Sequence, residues 1–507
     1  VEGFFLQEQE IMGKAKLHPV MLAGTGSDVG KSVIATALCR IFRQDGYNPA
    51  PFKAQNMALN SYATADGLEI GRAQAVQAEA AGIPCHTDMN PLLLKPSSDH
   101  TSQVVLNGKP MGNMGAYDYF RRDEGREVLR SEVNAAFDRL NSRYNPIVME
   151  GAGSISEINL RDTDLVNMPM ARYAGARVIL VADIDRGGVF ASAYGSIALQ
   201  TPQDKRLIKG IIVNKFRGDL RLFEEGRKIL EDICKVPVLG IVPYFKDIHI
   251  EEEDSMELAG KQHSAVSGRV NVAVILLRHI SNFTDFGMLE HDPRVNLYYT
   301  NNIEEISKAD IIILPGTKST IDDLYEIRRN GVAESVLRAH KAGTTVLGIC
   351  GGYQMMGLSV DDPQGVEGSV RKIPGLGLLP VDTVMEGSKV TRQVSFRFRD
   401  SDGCTGYEIH MGRTQTAKDA RCSALNTFTD GTSDGCFADE RTMGTYIHGI
   451  LDNPQVIDIL LAPFAGQRDT AATGYFEFKQ QQYDLLADHV RKHLNMPLLY
   501  KIMSQDD

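Results

Sequence analysis

The residues best placed for covalent chemistry are Gly348-Ile-Cys-Gly-Gly352, where the β-branched, apolar run Thr344-Thr-Val-Leu347 stops and Gln354, Met355 and Met356 begin a helical pattern. A cysteine between glycines at positions 348 and 352 has the G-x-C-x-G form of a nucleophile elbow, a strand-to-helix turn too tight for Cβ atoms on either side. A free cysteine is ordinarily a small buried hydrophobe. The flanking glycines favour the other reading, in which Cys350 is exposed at the turn, the following helix N-terminus favours its thiolate, and the N–H of Gly351 faces an oxyanion. Such a thiol needs a base. His448, in Gly444-Thr-Tyr-Ile-His-Gly449, ends a β-like run far downstream and suits that role.

A second group of residues handles phosphate. Gly24, Thr25, Gly26, Ser27, Asp28, Val29, Gly30, Lys31 and Ser32 follow the short strand pattern Val20-Met-Leu-Ala23 and open a helix expected over Ser32–Gln44. In this context backbone N–H groups wrap the phosphates of ATP, Lys31 reaches the β/γ oxygens, and Ser32 ligates Mg²⁺. The common spacing would need glycine at Thr25; the first glycine here is Gly24, one residue earlier. Glu150, ending the strand pattern Pro146-Ile-Val-Met149, is a candidate carboxylate for Mg²⁺ or water, although such residues are often merely solvated. Asn214, at the end of Gly210-Ile-Ile-Val213, offers an amide to an adenine edge or caps a turn. Lys53 and Arg186 fall at the C-terminal edge of the same sheet, where open α/β sheets bind ligands, and suit anionic phosphate or carboxylate; singly, each reads as a surface charge.

The elements that must carry these residues are short apolar strands alternating with amphipathic helices. The fold class expected is α/β with two doubly wound, mainly parallel sheets. The 507 residues suit two main domains: 18–248 for the phosphate loop and 270–465 for the thiol. Residues 1–17 read as an extension, 249–269, with the acidic run Glu251–Asp254, as a solvated linker, and 466–507 as a C-terminal helical segment. Hydrophobic residues make up 43% and charged residues 23%, and the net charge is −11. Neither nucleic acid nor an anionic membrane is expected as a partner. Seven scattered cysteines without a C-x-x-C pair, no apolar run of membrane-spanning length and no signal-peptide pattern fit the cytoplasm.

Taken together, the motifs resemble a known family. Gly24–Ser32, Pro51-Phe-Lys-Ala-Gln-Asn-Met-Ala-Leu-Asn60, Asn90-Pro-Leu-Leu-Leu-Lys-Pro96, Glu150-Gly-Ala-Gly-Ser154, Asp183-Ile-Asp-Arg-Gly-Gly188 and Asn214-Lys-Phe-Arg-Gly-Asp219 are similar to the dethiobiotin-synthetase-like domain of the cobyric acid synthase family. Leu314-Pro-Gly-Thr-Lys-Ser-Thr320, Gly348–Gly352, Gly406-Tyr-Glu-Ile-His-Met-Gly412 and Thr445-Tyr-Ile-His-Gly449 are similar to its class I glutamine amidotransferase domain. The resemblance implies ATP- and glutamine-dependent amidation of the b, d, e and g carboxylates of a corrinoid, adenosylcobyrinic acid a,c-diamide. It makes Cys350 the glutaminase nucleophile and His448 its base, and it places the oxyanion between Gly351 and the Gly316-Thr317 turn. It leaves the oligomeric state open.

The usual class I triad has a Glu two residues after the His, and here that residue is Ile450. The corrinoid branch generally lacks this Glu, so the group orienting His448 is open, with Asp452 or a backbone carbonyl as guesses. A loosely held His448 predicts a slow glutaminase until the synthetase site is occupied. His410 reads as a second functional histidine or, more simply, a structural one. Arg161, Arg186 and Arg278 are candidates for the corrinoid carboxylates. Alternatives are the related a,c-diamide synthase, a P-loop switch ATPase with an inactive amidotransferase-like domain, and a stand-alone cysteine hydrolase. The switch ATPases place an additional lysine early in the phosphate loop, and none lies between Gly24 and Gly30.

Overall fold

Strands buried on both faces are what a parallel sheet between helical layers requires, and the apolar runs supply them. In the computed structural model, which describes residues 15–96, 101–115, 123–251, 261, 263–367, 370–418, 420, 422–465 and 474–505, two such sheets form. The first contains β1 (Val20–Gly24), β2 (Ala50–Phe52), β3 (Ile147–Glu150), β4 (Arg177–Asp183), β5 (Ile208–Phe216) and β6 (Val238–Pro243). Their spatial order is β6-β5-β4-β1-β3-β2, all parallel. Every residue of β1 and β4 is buried.

The second sheet holds β7 (Val270–Ile275), β8 (Val295–Thr300), β9 (Ile311–Leu314), β10 (Thr345–Ile349), β13 (Cys436–Asp439) and β14 (Thr442–Thr445), ordered β8-β7-β9-β10-β14-β13. Only the β13–β14 pairing is antiparallel. A long antiparallel hairpin, β11 (Val381–Phe398) and β12 (Ser401–Thr416), lies between β10 and β13 in the chain and leads a third sheet that reaches His448.

Each sheet places its chemistry at a strand end. Gly30, at φ 93°, turns β1 into helix α1 (Lys31–Gln44), a backbone state that favours glycine, and a Cβ there would sit 2.1 Å from Asn214 Nδ2 and displace that side chain. Cys350 turns β10 into helix α3 (Gly351–Met356).

Two expectations about the connections change. The side chain of Glu251 is only 8% exposed: it pairs with the buried Arg72 and accepts a hydrogen bond from Tyr475 Oη at 3.0 Å. The start of the supposed solvated linker is therefore packed between domains, because Arg72, on helix α2 (Arg72–Ala81), would otherwise be an unpaired buried cation. Residues 252–260, most of that linker, lie outside the described residues, as do 1–14 and 466–473. The C-terminal segment returns to the first sheet. Tyr483, Leu486 and Val490 of α4 (Tyr475–His493) and Leu499 and Met503 of α5 (Met496–Ser504) share a core with Val20, Ile34, Leu38 and Phe42. Arg40 of α1 clasps Asp484 of α4 with two hydrogen bonds, at 2.7 and 2.8 Å.

Candidate active site

The elbow at Cys350 is built as its glycines require, but the thiol is buried, 8% exposed, with Sγ 3.6 Å from the Ile409 carbonyl oxygen, and not exposed at the turn as expected. Cys350 has φ 51° and ψ −109°, a backbone state sparsely populated by residues with a side chain. A Cβ on Gly352 would lie 1.9 Å from the Leu314 carbonyl oxygen, and one on Gly348 would lie 2.7 Å from the Tyr353 nitrogen. Only glycine lets α3 start so close to β9.

His448 is 1% exposed and sits across from that turn. Its Nδ1 lies 2.7 Å from Oδ2 of Asp285, whose Oδ1 accepts the N–H of Gly449 at 2.9 Å. Asp285 thus orients the ring, in place of the Asp452 or carbonyl that the sequence suggested. The imidazole also lies stacked on the Tyr407 ring, centroids 5.3 Å apart. Burial by itself would lower the His448 pKa, but the Asp285 and Cys350 charges and their hydrogen bonds raise it to about 10. This environment therefore favours the imidazolium form of His448 beside the Cys350 side chain. The expectation of a loosely held base is overturned: a buried carboxylate holds His448 on one side and an aromatic ring on another.

The oxyanion side is equally closed. A Cβ on Gly316 would come within 3.0 Å of His448 Cε1, and one on Gly351 within 3.1 Å of the Thr317 nitrogen. The amide of Thr317 and the start of α3 therefore converge beside the thiol. Asp323 braces this turn. It accepts a hydrogen bond from Thr317 Oγ1, and His279 Nδ1 lies 2.9 Å from its other oxygen. His410 is structural in form, stacked on Tyr446 at 3.8 Å with Nδ1 2.8 Å from the Gly412 carbonyl oxygen.

At the other site the phosphate loop is held in shape by its own residues. Lys31 Nζ donates to the carbonyls of Gly26 at 3.1 Å and Gly153 at 3.0 Å. Ser32 Oγ donates to Glu150 Oε1 at 2.9 Å, so two hard oxygen donors stand side by side at the foot of the loop, a donor set that suits Mg²⁺. Lys53 is not a free surface charge: its Nζ lies 2.8 Å from Glu150 Oε1, both side chains are buried, and Gln77 Nε2 donates to Oε2 at 2.7 Å. Burial pushes the Glu150 carboxyl up, yet Lys53, Gln77 and Lys31 hold it below its usual value.

Asn214 donates one amide N–H to the Val29 carbonyl at 2.9 Å and so braces the loop. Arg186 is 67% exposed, 3.4 Å from Asp28 at the mouth of the loop. Arg161 donates to the Leu199 carbonyl at 2.7 Å.

A cavity of about 1500 Å³ opens over the phosphate loop. Lys31, Lys53, Glu150 and Arg186 line one part of it, and Phe283, Thr284 and Gly287, the neighbours of Asp285, line another. The space above the loop thus reaches the segment that orients His448.

Asp285 is the residue the sequence did not disclose. It lies 163 positions from His448 in a short 3-10 turn, Phe283–Phe286, with no periodicity or motif linking the two.

Residues 20–258 match the family model for the CobQ/CobB/MinD/ParA nucleotide binding domain, and residues 271–456 match that for the CobB/CobQ-like glutamine amidotransferase domain. A cobyric acid synthase of Phocaeicola vulgatus is 70% identical over 97% of this chain and 100% of its own length. The chain belongs to the cobyric acid synthase family. Another cobyric acid synthase, from Parabacteroides distasonis, is 58% identical over 96% of this chain and 99% of its own, and one from a Thermoanaerobacter species is 45% identical over similar shares. Membership of the cobyric acid synthase family extends over both sites, since these relatives align from the phosphate loop to the C-terminal helices. No helix among the described residues is long and apolar enough to cross a membrane.

Proposed function

We propose that the chain amidates the b, d, e and g carboxylates of adenosylcobyrinic acid a,c-diamide, with Cys350 and His448 releasing ammonia and the Gly24–Ser32 loop holding ATP. It is a glutamine-hydrolysing, ATP-dependent amidoligase of cobalamin biosynthesis. The observation that carries the finer reading is the buried Cys350–His448–Asp285 constellation in one chain with an intact phosphate loop. An inactive amidotransferase domain on a switch ATPase would have no need of that constellation, and a lone hydrolase would have no use for the loop.

A carboxylate is a poor electrophile with no usable leaving group, so it must first take the γ-phosphoryl of ATP and become an acyl phosphate. Lys31 neutralises charge on the phosphates, and Ser32 and Glu150 are the residues that would hold Mg²⁺, which supplies charge neutralisation when bound. Lys53, already on Glu150, keeps that carboxylate ionised and in place. Arg186 stands at the mouth for an incoming anion.

In the other domain the Cys350 thiolate attacks the glutamine side-chain amide, and the Thr317 and Gly351 amides receive the oxyanion. The His448 imidazolium gives its proton to the departing nitrogen, which leaves as ammonia. Neutral His448 then takes a proton from the water that cleaves the thioester to glutamate. Ammonia displaces phosphate from the acyl phosphate to give the amide.

Mass spectrometry of the a,c-diamide incubated with the protein, Mg-ATP and glutamine tests this reading. The expected result is a stepwise series in which each carboxyl hydroxyl is replaced by an amino group. Glutamine and ATP consumption without any mass change of the corrinoid would reject the substrate.

A further inference from the structure

The glutaminase loop is not completed by its own domain. Residues 279–285 pair with the oxyanion turn on one side: Ser281 N–H donates to the Gly316 carbonyl at 2.9 Å, Lys318 N–H donates to the His279 carbonyl at 3.0 Å, and Thr317 Oγ1, whose proton goes to Asp323, lies 3.1 Å from that same carbonyl oxygen. On the other side they carry Asp285, whose N–H donates to the Asn282 carbonyl at 3.0 Å. One segment therefore sets both the oxyanion donors and the His448 orienter.

Its pivot is Asn282, which holds a left-handed φ of 53° and ψ of 38°. Two hydrogen bonds from the synthetase domain clasp it there. The N–H of Asn282 donates to Asn60 Oδ1 at 2.7 Å, and the N–H of Ser61 donates to Asn282 Oδ1 at 3.0 Å, both buried.

The clasp leads back to the phosphate loop. Asn60 and Ser61 end the stretch that starts at Lys53 on Glu150, and Gln55, Asn56, Met57, Ala58 and Leu59, between them, line the large cavity. Lys95 Nζ secures Ser61 Oγ at 2.9 Å while pairing with Glu69. The segment that contacts the synthetase site is thus continuous with the one that grips the glutaminase loop.

We propose that Asn60, with Asn282 as its receptor, is a cross-domain positioning residue: it holds the 279–285 segment so that Asp285 and the Gly316-Thr317 turn are aligned only while the synthetase segment 53–61 is in place. Glutamine hydrolysis is then tied to the state of the synthetase site through two hydrogen bonds rather than through distant allostery. The assignment rests on the glutaminase and synthetase roles proposed above.

The test compares Asn60→Ala with wild type in three assays: glutamate release from glutamine, amide formation with glutamine, and amide formation with ammonium salts. Loss of a buried hydrogen bond that sets transition-state geometry predicts about a tenfold or greater fall in glutaminase kcat. KM for glutamine should stay close to wild type, and ammonium-dependent amide formation should be retained. Asn282→Gly keeps the left-handed backbone and the N–H but removes the acceptor of Ser61, and should give a smaller fall of the same pattern.

Glutaminase kcat within twofold of wild type in both variants would overturn the proposal. So would a proportional loss of ammonium-dependent synthesis, which would make Asn60 a stability residue only. Failure of wild type itself to form amide from ammonium, ATP and the corrinoid would instead count against the substrate reading, and glutamate release would still judge the clasp.

Discussion

At the scale of single residues, the proposed chemistry turns on the buried Cys350–His448–Asp285 constellation. Asp285 fixes which nitrogen of His448 faces the thiol, and its charge sustains the imidazolium. Replacing it by Asn should lower glutaminase kcat by about 10²- to 10⁴-fold, the range seen when an orienting carboxylate is neutralised. The pH profile should move as well. Because the His448 pKa in the folded chain is raised to about 10, the stability of its pair with Asp285 and Cys350 is complete below the ordinary histidine value of about 6.5. It is lost as pH rises through about 10. In Asp285→Asn the alkaline limb of the glutaminase rate should shift to lower pH, measured as glutamate release across pH 6–11. Cys350→Ala should abolish glutamine-dependent amidation and keep the ammonium-dependent reaction; loss of both would make Cys350 a structural residue.

At the scale of elements, function depends on two strand-to-helix turns with no room to spare. Gly352→Ala would push a methyl group to 1.9 Å from the Leu314 carbonyl, backbone that cannot step aside without moving β9. A destabilisation of about 1–3 kcal/mol or more is expected, read as a lower midpoint of chemical denaturation, with glutaminase lost before global unfolding. At Gly30 the neighbour is the Asn214 side chain, which can turn away. Gly30→Ala still meets the positive φ of 93°, so weaker ATP binding with less loss of stability is the expected outcome, measured by nucleotide titration.

At the scale of the whole molecule, one buried ion pair and the Asn60–Asn282 clasp join the two sheets, and further buried pairs tie the linker and the C-terminal helix to the first domain. Arg72 meets Glu251, Lys479 Nζ lies 2.7 Å from Glu79 and 3.8 Å from Glu251, and Lys389 of the second domain pairs with the buried Glu69 of the first. Removing one partner strands the other in a medium that cannot hydrate it. Glu251→Ala should therefore cost about 3–5 kcal/mol, whereas the exposed pair Arg221–Asp219 should matter little; denaturation curves of the two variants test the contrast. Tyr475, which bonds Glu251, belongs to the C-terminal helices, so the linker, the domain contact and the chain end form one packed unit.

The sequence by itself determined what is local or repeated along the chain: the alternation of buried strands and helices, the glycines of both turns, and the position of Cys350, Lys31, Ser32 and Glu150 at strand-to-helix turns and strand ends. These were legible because tight turns and phosphate loops restrict residue types at fixed spacing. Only the tertiary structure decided which carboxylate faces His448, that Lys53 and Glu150 neutralise each other, that Asn214 braces the loop, and that Glu251 is buried. Each of those depends on a partner brought near by folding, and a charged or amide residue carries no sign in its neighbours of what it will meet across a domain boundary. Asp285 and Asn282 show the difference most plainly: nothing in Ser281-Asn-Phe-Thr-Asp285 points to a histidine 163 positions away or to Asn60 in the other domain.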